Sequence, residues 1–82
     1  MRYEETYESI ARERVKAALP IGWRLTEFSA RELESAGKVV ATVEWPDHTM
    51  TIDIATTNGG VEAATEDVIH AFSRLALQVW RA

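Results

Sequence analysis

The chain has 82 residues, no cysteine, a net charge of −4 at pH 7 and a pI near 5.1. This length predicts one domain over residues 1–82, and an apolar fraction of 46% is typical of a globular domain rather than a disordered chain. The lack of cysteine excludes disulfides and thiolate metal sites, and the acidic balance disfavours binding to a phosphate backbone.

The first predicted element is a helix over Tyr3–Leu19. Its apolar residues recur every three or four positions and form one stripe: Tyr3, Tyr7, Ile10, Ala11, Val15 and Ala18. Glu8 and Arg12 have the i,i+4 spacing of an ion pair. Pro20 ends the helix, because the residue before a proline avoids helical angles. Arg14 lies near the stripe, so we expect its stem to pack and its head to reach solvent.

Residues Ile21–Phe28 show the alternation of a first strand. Ile21, Trp23 and Leu25 share one face of this pattern. Phe28 has the wrong parity for the same face, which predicts either a β-bulge or the end of the strand.

The segment Ser29–Lys38 admits two interpretations. Its first residue, with Glu32 three positions later, fits a capping box, and Gly37 fits a helix stop, which together predict one short helical turn. The other interpretation continues the strand through Leu33 into a tight turn at Ala36 and Gly37. We favour a hairpin connection of irregular structure here.

The clearest pattern in the sequence is Val39–Thr57, which predicts two alternating strands joined by a turn. One face of this hairpin is apolar and expected to be buried: Val39, Ala41, Val43, Trp45, Met50, Ile52 and Ile54. A four-residue loop over 46–49 would place three apolar pairs on that face: Trp45 with Met50, Val43 with Ile52, and Ala41 with Ile54.

The last predicted element is a helix that begins at Val61 or Thr65 and ends at Trp80. It follows Asn58-Gly59-Gly60, a segment predicted to interrupt regular secondary structure. Its main stripe and the flank that widens it are apolar: Val61, Ala64, Val68, Phe72, Leu75 and Val79, with Ile69, Ala76 and Trp80. Leu77 lies outside this stripe and is the one large apolar residue of the helix that the fold does not need.

The element order predicts an α+β fold, α-β-β-β-α, in which a three-stranded antiparallel meander carries both helices on one face. This order is similar to that of double-stranded RNA-binding domains over the whole chain. Those domains hold phosphates with a lysine-rich patch at the start of their last helix. The matching positions here include Glu62, Glu66 and Asp67. The resemblance is therefore one of element order, and it does not imply RNA binding.

Three short patterns could be drawn as chemical sites, and each has a simpler explanation. Asp47 and His48 are ordinary turn residues, and no third metal ligand has suitable spacing. Glu66 and His70 share a helix face, but the second half of a metal site is missing. Residues 57–60 lack the Lys-Ser/Thr of a phosphate loop, so a left-handed turn explains them better. We predict no catalytic residue, cofactor or metal, and a binding protein rather than an enzyme.

Two surfaces remain as candidates for binding a partner. The open sheet face, turned away from the helices, is mildly acidic: Arg24, Thr26, Val40, Thr42, Glu44, Thr51, Asp53 and Ala55. Its residues 42, 44, 51 and 53 have no partner within the predicted fold. The other surface is the flank of the last helix, where Leu77 and Trp80 could join Ile69 in an exposed apolar patch. The residues predicted to contact a partner are Glu44, Asp53, Glu62, Glu66, Asp67, Leu77 and Trp80.

These features favour a small non-enzymatic protein-interaction domain that acts as an inhibitor, decoy or adaptor of one target protein. In size and charge it is similar to phage antidefence proteins such as anti-CRISPRs and to toxin immunity proteins. Its acidic residues would steer it to a basic surface: Glu4, Glu5, Glu8, Glu62, Glu66 and Asp67. The alternative is a homo-oligomeric structural module, for instance a homodimer, with Leu77 and Trp80 buried between subunits. A nucleic-acid-binding domain is the least favoured hypothesis.

The sequence also predicts where the protein resides. No apolar run approaches the roughly 20 residues of a membrane span. The N-terminus lacks the apolar region of a signal peptide. We therefore expect no membrane contact and a cytoplasmic protein.

Overall fold

The computed structural model describes the backbone of residues 3–81 and the side chains of residues 8–32 and 34–78. Two helices and three strands follow in the order α1 (Tyr3–Ala18), β1 (Arg24–Leu33), β2 (Ala36–Trp45), β3 (His48–Thr56) and α2 (Gly60–Arg81). The strands form one antiparallel sheet in the order β1-β2-β3, and both helices pack against it. The predicted α+β architecture, α-β-β-β-α, is confirmed.

The hydrophobic core lies between the sheet and the two helices. The inner residues of the central strand and the apolar stripes of both helices form a single cluster: Ala11, Val15, Val39, Ala41, Val43, Val61, Ala64, Val68 and Phe72. Each large side chain in this cluster stabilises the fold by about 1.5–3 kcal/mol relative to leaving it exposed. Tyr3, Tyr7 and Val79 of the predicted stripes lie outside the described side chains.

Strand β1 begins later than the sequence pattern indicates, at Arg24 rather than Ile21. The backbone N–H of Trp23 donates to Pro20 O at 3.1 Å, and Gly22 between them has φ +93°. A turn of this kind needs a positive φ at its third residue, which glycine supplies, so the chain cannot be extended there. Ile21 consequently lies in the turn and is fully exposed instead of buried.

The parity of Phe28 has the predicted cause. The pairing register of β1 with β2 shifts between Leu25 and Glu27, which is the signature of a β-bulge. Beyond it Phe28 pairs with Ala41 and packs against the core. The bulge therefore lets two segments of opposite parity bury the same face.

The irregular connection that we favoured for residues 29–38 is wrong, and so is the helical turn. β1 continues to Leu33 and the chain reverses at Glu34 and Ser35, two residues before the tight turn of the alternative interpretation. Glu34 has φ +55°, the left-handed angle that this short turn requires. Gly37 is then a buried residue of β2 rather than a helix stop.

The hairpin of β2 and β3 forms with a shorter loop than predicted. Only Pro46 and Asp47 connect the strands, and Asp47 takes φ +68°. Proline followed by a left-handed residue suits a type II turn, which leaves Thr49 free to join the strand. The register is therefore shifted by two residues: Trp45 pairs with His48, Val43 with Met50, and Ala41 with Ile52. A shift by an even number keeps every side chain on its predicted face.

The start of α2 is fastened to the turn between β1 and β2. The N–H of Gly60 donates to Ser35 O at 2.9 Å, and that of Val61 donates to Glu32 Oε1 at 3.0 Å. Gly37 packs so closely here that a Cβ on it would lie less than 3.0 Å from the backbone of Gly60. Glu32 therefore caps α2, although the sequence pattern had paired it with Ser29. The positive φ of Gly59 and Gly60 confirms the predicted left-handed turn.

Candidate protein-interaction surface

The open sheet face already has partners within the chain. Arg24 donates to Glu44 at 2.8 Å, and the Nζ of Lys38 lies 3.7 Å from an Asp53 carboxylate oxygen. The hydroxyls of Thr42 and Thr51 are hydrogen-bonded at 2.8 Å. The prediction that these four residues of the face lack partners is wrong. Each partner comes from a neighbouring strand, through the pairing of β2 with β1 and β3. The sequence pattern had not placed Thr42 opposite Thr51, or Lys38 near Asp53.

Glu66 on α2 is engaged with α1. The guanidinium of Arg14 pairs with its carboxylate, so the two helices share an ion pair at a partly exposed position. Such a pair stabilises by about 0–1 kcal/mol, because solvent screens it. The expectation that the Arg14 head reaches solvent alone was therefore incomplete. Glu66 forms no ion pair with His70, the residue on its helix face with which the sequence suggested half of a metal site.

Two acidic residues of α2 keep their charge exposed. Glu62 and Asp67 form no ion pair with any residue that the structure describes. Glu8, by contrast, lies 3.6 Å from Arg12, as its spacing predicts. The side chains of Glu4, Glu5 and Trp80 lie outside the described residues. Of the acidic residues predicted to steer a partner, Glu62 and Asp67 therefore keep an exposed, unpaired carboxylate among the described residues, and Glu27, Glu34 and Asp47 do the same elsewhere on the surface.

The start of α2 does not present an anion site. The N–H of Val61 donates to the carboxylate of Glu32, and Glu62 is the next residue of the helix. Free N–H groups at a helix start attract anions, but a carboxylate already bound there repels a phosphate. This contact is a long-range consequence of the fold, since 29 residues separate its partners.

A groove of about 490 Å³ runs between α1 and the start of α2. Its lining is mixed: Ile10, Ala11, Arg14, Glu32, Gly59, Val61, Glu62 and Thr65. Two of the charged groups are already bound, Arg14 to Glu66 and Glu32 to the α2 backbone. The groove thus offers a ligand little beyond the exposed Ile10 and the carboxylate of Glu62.

Large apolar side chains are exposed at one end of the fold. Ile21 is fully exposed, Leu77 is 59% exposed and Met50 is 38% exposed. Ile21 precedes the first residue of β1, which pairs with Glu44, and Met50 follows the Pro46–Asp47 loop. Ile21 and Met50 therefore belong to the end of the molecule where the β2–β3 hairpin turns.

The position of Leu77 follows from the lengths of β3 and α2. The hydroxyl of Thr56 donates to Gly60 O, so α2 starts at the far end of β3. Seventeen residues of helix span about 26 Å. The distance from Thr56 back to His48 along β3 is also about 26 Å. α2 is therefore long enough to bring Leu77 toward the level of His48, and we call the following set of residues the hairpin end: Ile21, Trp23, Trp45, Met50 and Leu77.

A tryptophan stack forms the centre of the hairpin end. The rings of Trp23 and Trp45 are parallel within 10° with centroids 4.2 Å apart, and His48 lies 5.2 Å from Trp45. Both tryptophans are half-buried. Charged and turn residues border them: Arg24, Glu44, Pro46 and Asp47. An apolar, aromatic centre with a polar rim is the usual composition of a protein interface.

Sequence reasoning correctly placed both tryptophans on the core-facing side of the sheet, where both pack against the core, but it did not reveal that they stack and stay half-exposed. The signal was present in the register. Trp23 directly precedes Arg24, which pairs with Glu44, so Trp23 comes opposite Trp45. A correct start for β1 was needed to see this, and it depends on the turn at Gly22.

No group of three or more histidine, aspartate or glutamate side chains within 8–32 and 34–78 is arranged to hold a metal ion. Within the described part of the chain, no helix has the length and apolar character needed to cross a membrane. No protein-family model, curated protein or solved structure matches this chain.

Proposed function

We propose that this chain is a small protein-binding domain that acts as an inhibitor, decoy or adaptor by covering a surface of one target protein. The observation that carries this proposal is the hairpin end. Three of the four large apolar side chains that are exposed in the described part of the chain belong to it. An exposed apolar patch on a small domain usually marks a contact with another molecule.

The hairpin end also has the composition that binding hot spots favour. Trp23 and Trp45 are large and rigid, and they are held in place by their mutual stacking. Tryptophan and arginine are enriched among residues whose truncation costs the most binding energy. Arg24, paired with Glu44 on the opposite sheet face, lines the same edge depression as Trp45. Such a preorganised centre loses little side-chain entropy on binding.

Electrostatic steering is a second element of the proposal. The net charge is −4, and Glu62 and Asp67 present exposed carboxylates on α2. A complementary basic surface on the target, including one that normally binds nucleic acid, would attract the domain at long range. The domain would then act in the manner of an antidefence or immunity protein in the cytoplasm, with neither catalysis nor nucleic-acid binding of its own.

The test is affinity capture of a target with matched variants. Leu77→Ser and Ile21→Ser remove exposed apolar surface from the hairpin end. Ile10→Ser is the control, because Ile10 is 57% exposed but lines the groove at the other end of the helices. We expect the first two variants to lose capture by about tenfold or more and Ile10→Ser to retain it. Equal behaviour of all three would refute the hairpin end as the binding surface.

The electrostatic part is tested by ionic strength. Steered association weakens as salt rises, because screening shortens the reach of the charges. We expect the association rate to fall several-fold between low and physiological salt. We also expect Glu62→Gln with Asp67→Asn to reduce that dependence, because the pair supplies two of the exposed carboxylates. An association rate that does not change with salt would rule out acidic steering and leave the apolar contact as the basis of binding.

A further inference from the structure

The outward-facing backbone groups of β3 are a part of the fold that the proposed function does not use. β3 has nine residues without glycine, proline or a bulge, and Asp53 is its one carboxylate. The other edge strand, β1, contains a bulge and alternates with charged residues: Arg24, Glu27, Arg31 and Glu32. Bulges and charges are the usual protection of a sheet edge against pairing with another strand. By this criterion β1 is protected and β3 is open.

The backbone groups that face outward from β3 can be identified from the hairpin. Trp45 and His48 flank a two-residue loop, so they exchange backbone hydrogen bonds, and every second pair along the ladder does the same. Met50, Ile52 and Ile54 therefore direct their N–H and C=O groups toward β2. The alternate residues direct theirs away from the sheet, where no described strand receives them: Thr49, Thr51, Asp53 and Ala55.

We propose that this edge pairs antiparallel with β3 of a second copy of the chain, about a two-fold axis at Ile52. Ile52 is the midpoint of His48–Thr56, so this axis lets the whole strand pair. Ile52 then opposes Ile52 of the second copy, and Met50 opposes Ile54. Each residue on the helix-facing side of β3 is then opposite a residue on the helix-facing side of β3 in the second copy. The result is a continuous six-stranded sheet with an unbroken apolar row under both copies of α2.

The distribution of charge is compatible with this axis, and the length of the overlap favours it. With the axis at Ile52, Asp53 lies opposite Thr51 of the second copy. Moving the axis to Asp53 would place two carboxylates directly against each other, which is destabilising. The strand is thus complementary to itself in the register that also gives the longest overlap. The pairing would cover Met50 and the partly exposed Ile52 and Ile54.

The dimer is expected to be weak. Pairing of one edge strand buries less than the roughly 1,200–2,000 Å² of a standard protein interface. A dissociation constant of about 10–100 μM is in keeping with such an area. The measurement must therefore extend to about millimolar protein, and it does not depend on a target being known.

Two substitutions at one position test the register. Thr51→Lys places a cation opposite each Asp53 of the dimer, whereas Thr51→Asp places a carboxylate there. Both variants lose the same hydroxyl contact with Thr42, so the loss of that contact is common to both. Unfolding of each variant at low concentration, where it is monomeric, measures the remaining difference within one chain. By sedimentation equilibrium we expect the lysine variant to dimerise about tenfold or more tightly than the aspartate variant, since each dimer contains the pair twice. Equal dissociation constants would overturn the proposal.

Amide hydrogen exchange supplies a second measurement on the unmodified chain. The amides of Met50, Ile52 and Ile54 are bonded to β2 and should be protected at every concentration. Those of Thr51 and Asp53 should become protected only as the dimer forms. A strict monomer at millimolar concentration overturns the proposal. This holds even if a target later protects the same amides, because the β3 edge would then pair with a strand of the target and not with a second copy. If this exchange pattern is observed but no target is captured, the proposed function is refuted and the β3 dimer is not.

Discussion

Gly37→Ala is the substitution for which the structure predicts the largest effect from the smallest change. Gly37 does not have a positive φ, so alanine is compatible with its backbone conformation. The added Cβ, however, would lie less than 3.0 Å from three backbone atoms at the start of α2, where ordinary contact begins at 3.4 Å. Backbone atoms cannot rotate away as a side chain can. The start of α2 must therefore retreat from the sheet.

That retreat has a cost that can be estimated. Overpacking of this kind destabilises by about 1–3 kcal/mol. Moving α2 also weakens the bonds from Gly60 to Ser35 and from Val61 to Glu32, at about 1 kcal/mol each. The lower entropy of the unfolded alanine chain offsets about 0.4–1 kcal/mol. We expect a net loss of about 2–4 kcal/mol, which lowers the Tm of a domain this size by about 10–25 °C.

The assay is urea unfolding followed by tryptophan fluorescence, with Gly22→Ala as the matched control. Gly22 has φ +93°, but a Cβ added to it would meet no atom within 4 Å, so its substitution costs backbone strain alone, about 1 kcal/mol. A clear excess of the Gly37→Ala effect over this control is the expected result. If the two variants unfold at the same urea concentration with equal m-values, the close approach of Gly37 to α2 is refuted.

Three further predictions concern the core, the cap and the helix pair. Phe72→Ala should destabilise by about 3–5 kcal/mol in thermal unfolding, because the ring is almost fully buried in the central cluster. Glu32→Ala should cost about 0.5–2 kcal/mol by removing the acceptor for Val61 N–H, and Glu32→Gln, which keeps an acceptor, should recover part of it. A double-mutant cycle of Arg14→Ala and Glu66→Ala should give a coupling of at most about 1 kcal/mol that vanishes in high salt, and a larger value would mean that the pair is less solvated than its exposure indicates.

Local periodicity was sufficient to predict both helices, the β2–β3 hairpin and most of their inward faces, but not the extent of β1 or the structure of residues 29–38. The alternation of β2 and β3 and the stripe of α2 each bury a face in one cluster, and a pattern of this kind depends only on the period of its own segment. An error of two residues in the hairpin register left the faces unchanged. The sequence therefore specified which side of each element is buried more firmly than which residues are paired.

The features that were missed depend on contacts between distant segments. Glu32 had a local interpretation as part of a capping box with Ser29, yet its carboxylate caps a helix that starts 28 residues later. Gly37 was interpreted as a helix stop or a turn residue, but glycine is required there by the close approach of α2. The partners of Glu44 and Asp53 likewise depended on the register of neighbouring strands. None of these contacts leaves a periodic trace in its own segment.

The two proposed surfaces are compatible in one assembly, and their geometry has a consequence for binding. A two-fold axis at Ile52 directs the two hairpin ends in opposite directions along the joined sheet. Ile21, Trp23 and Leu77 lie away from the β3 edge and stay accessible, whereas Met50 is shared by both surfaces. The dimer would therefore present two equivalent binding centres. Against an array of targets, a second contact made within the same complex raises the apparent affinity by about 10²–10⁴ without any new contact in either centre. Because the β3 pairing is weak, the protein concentration would then determine whether the domain binds its target as a monomer or as a dimer.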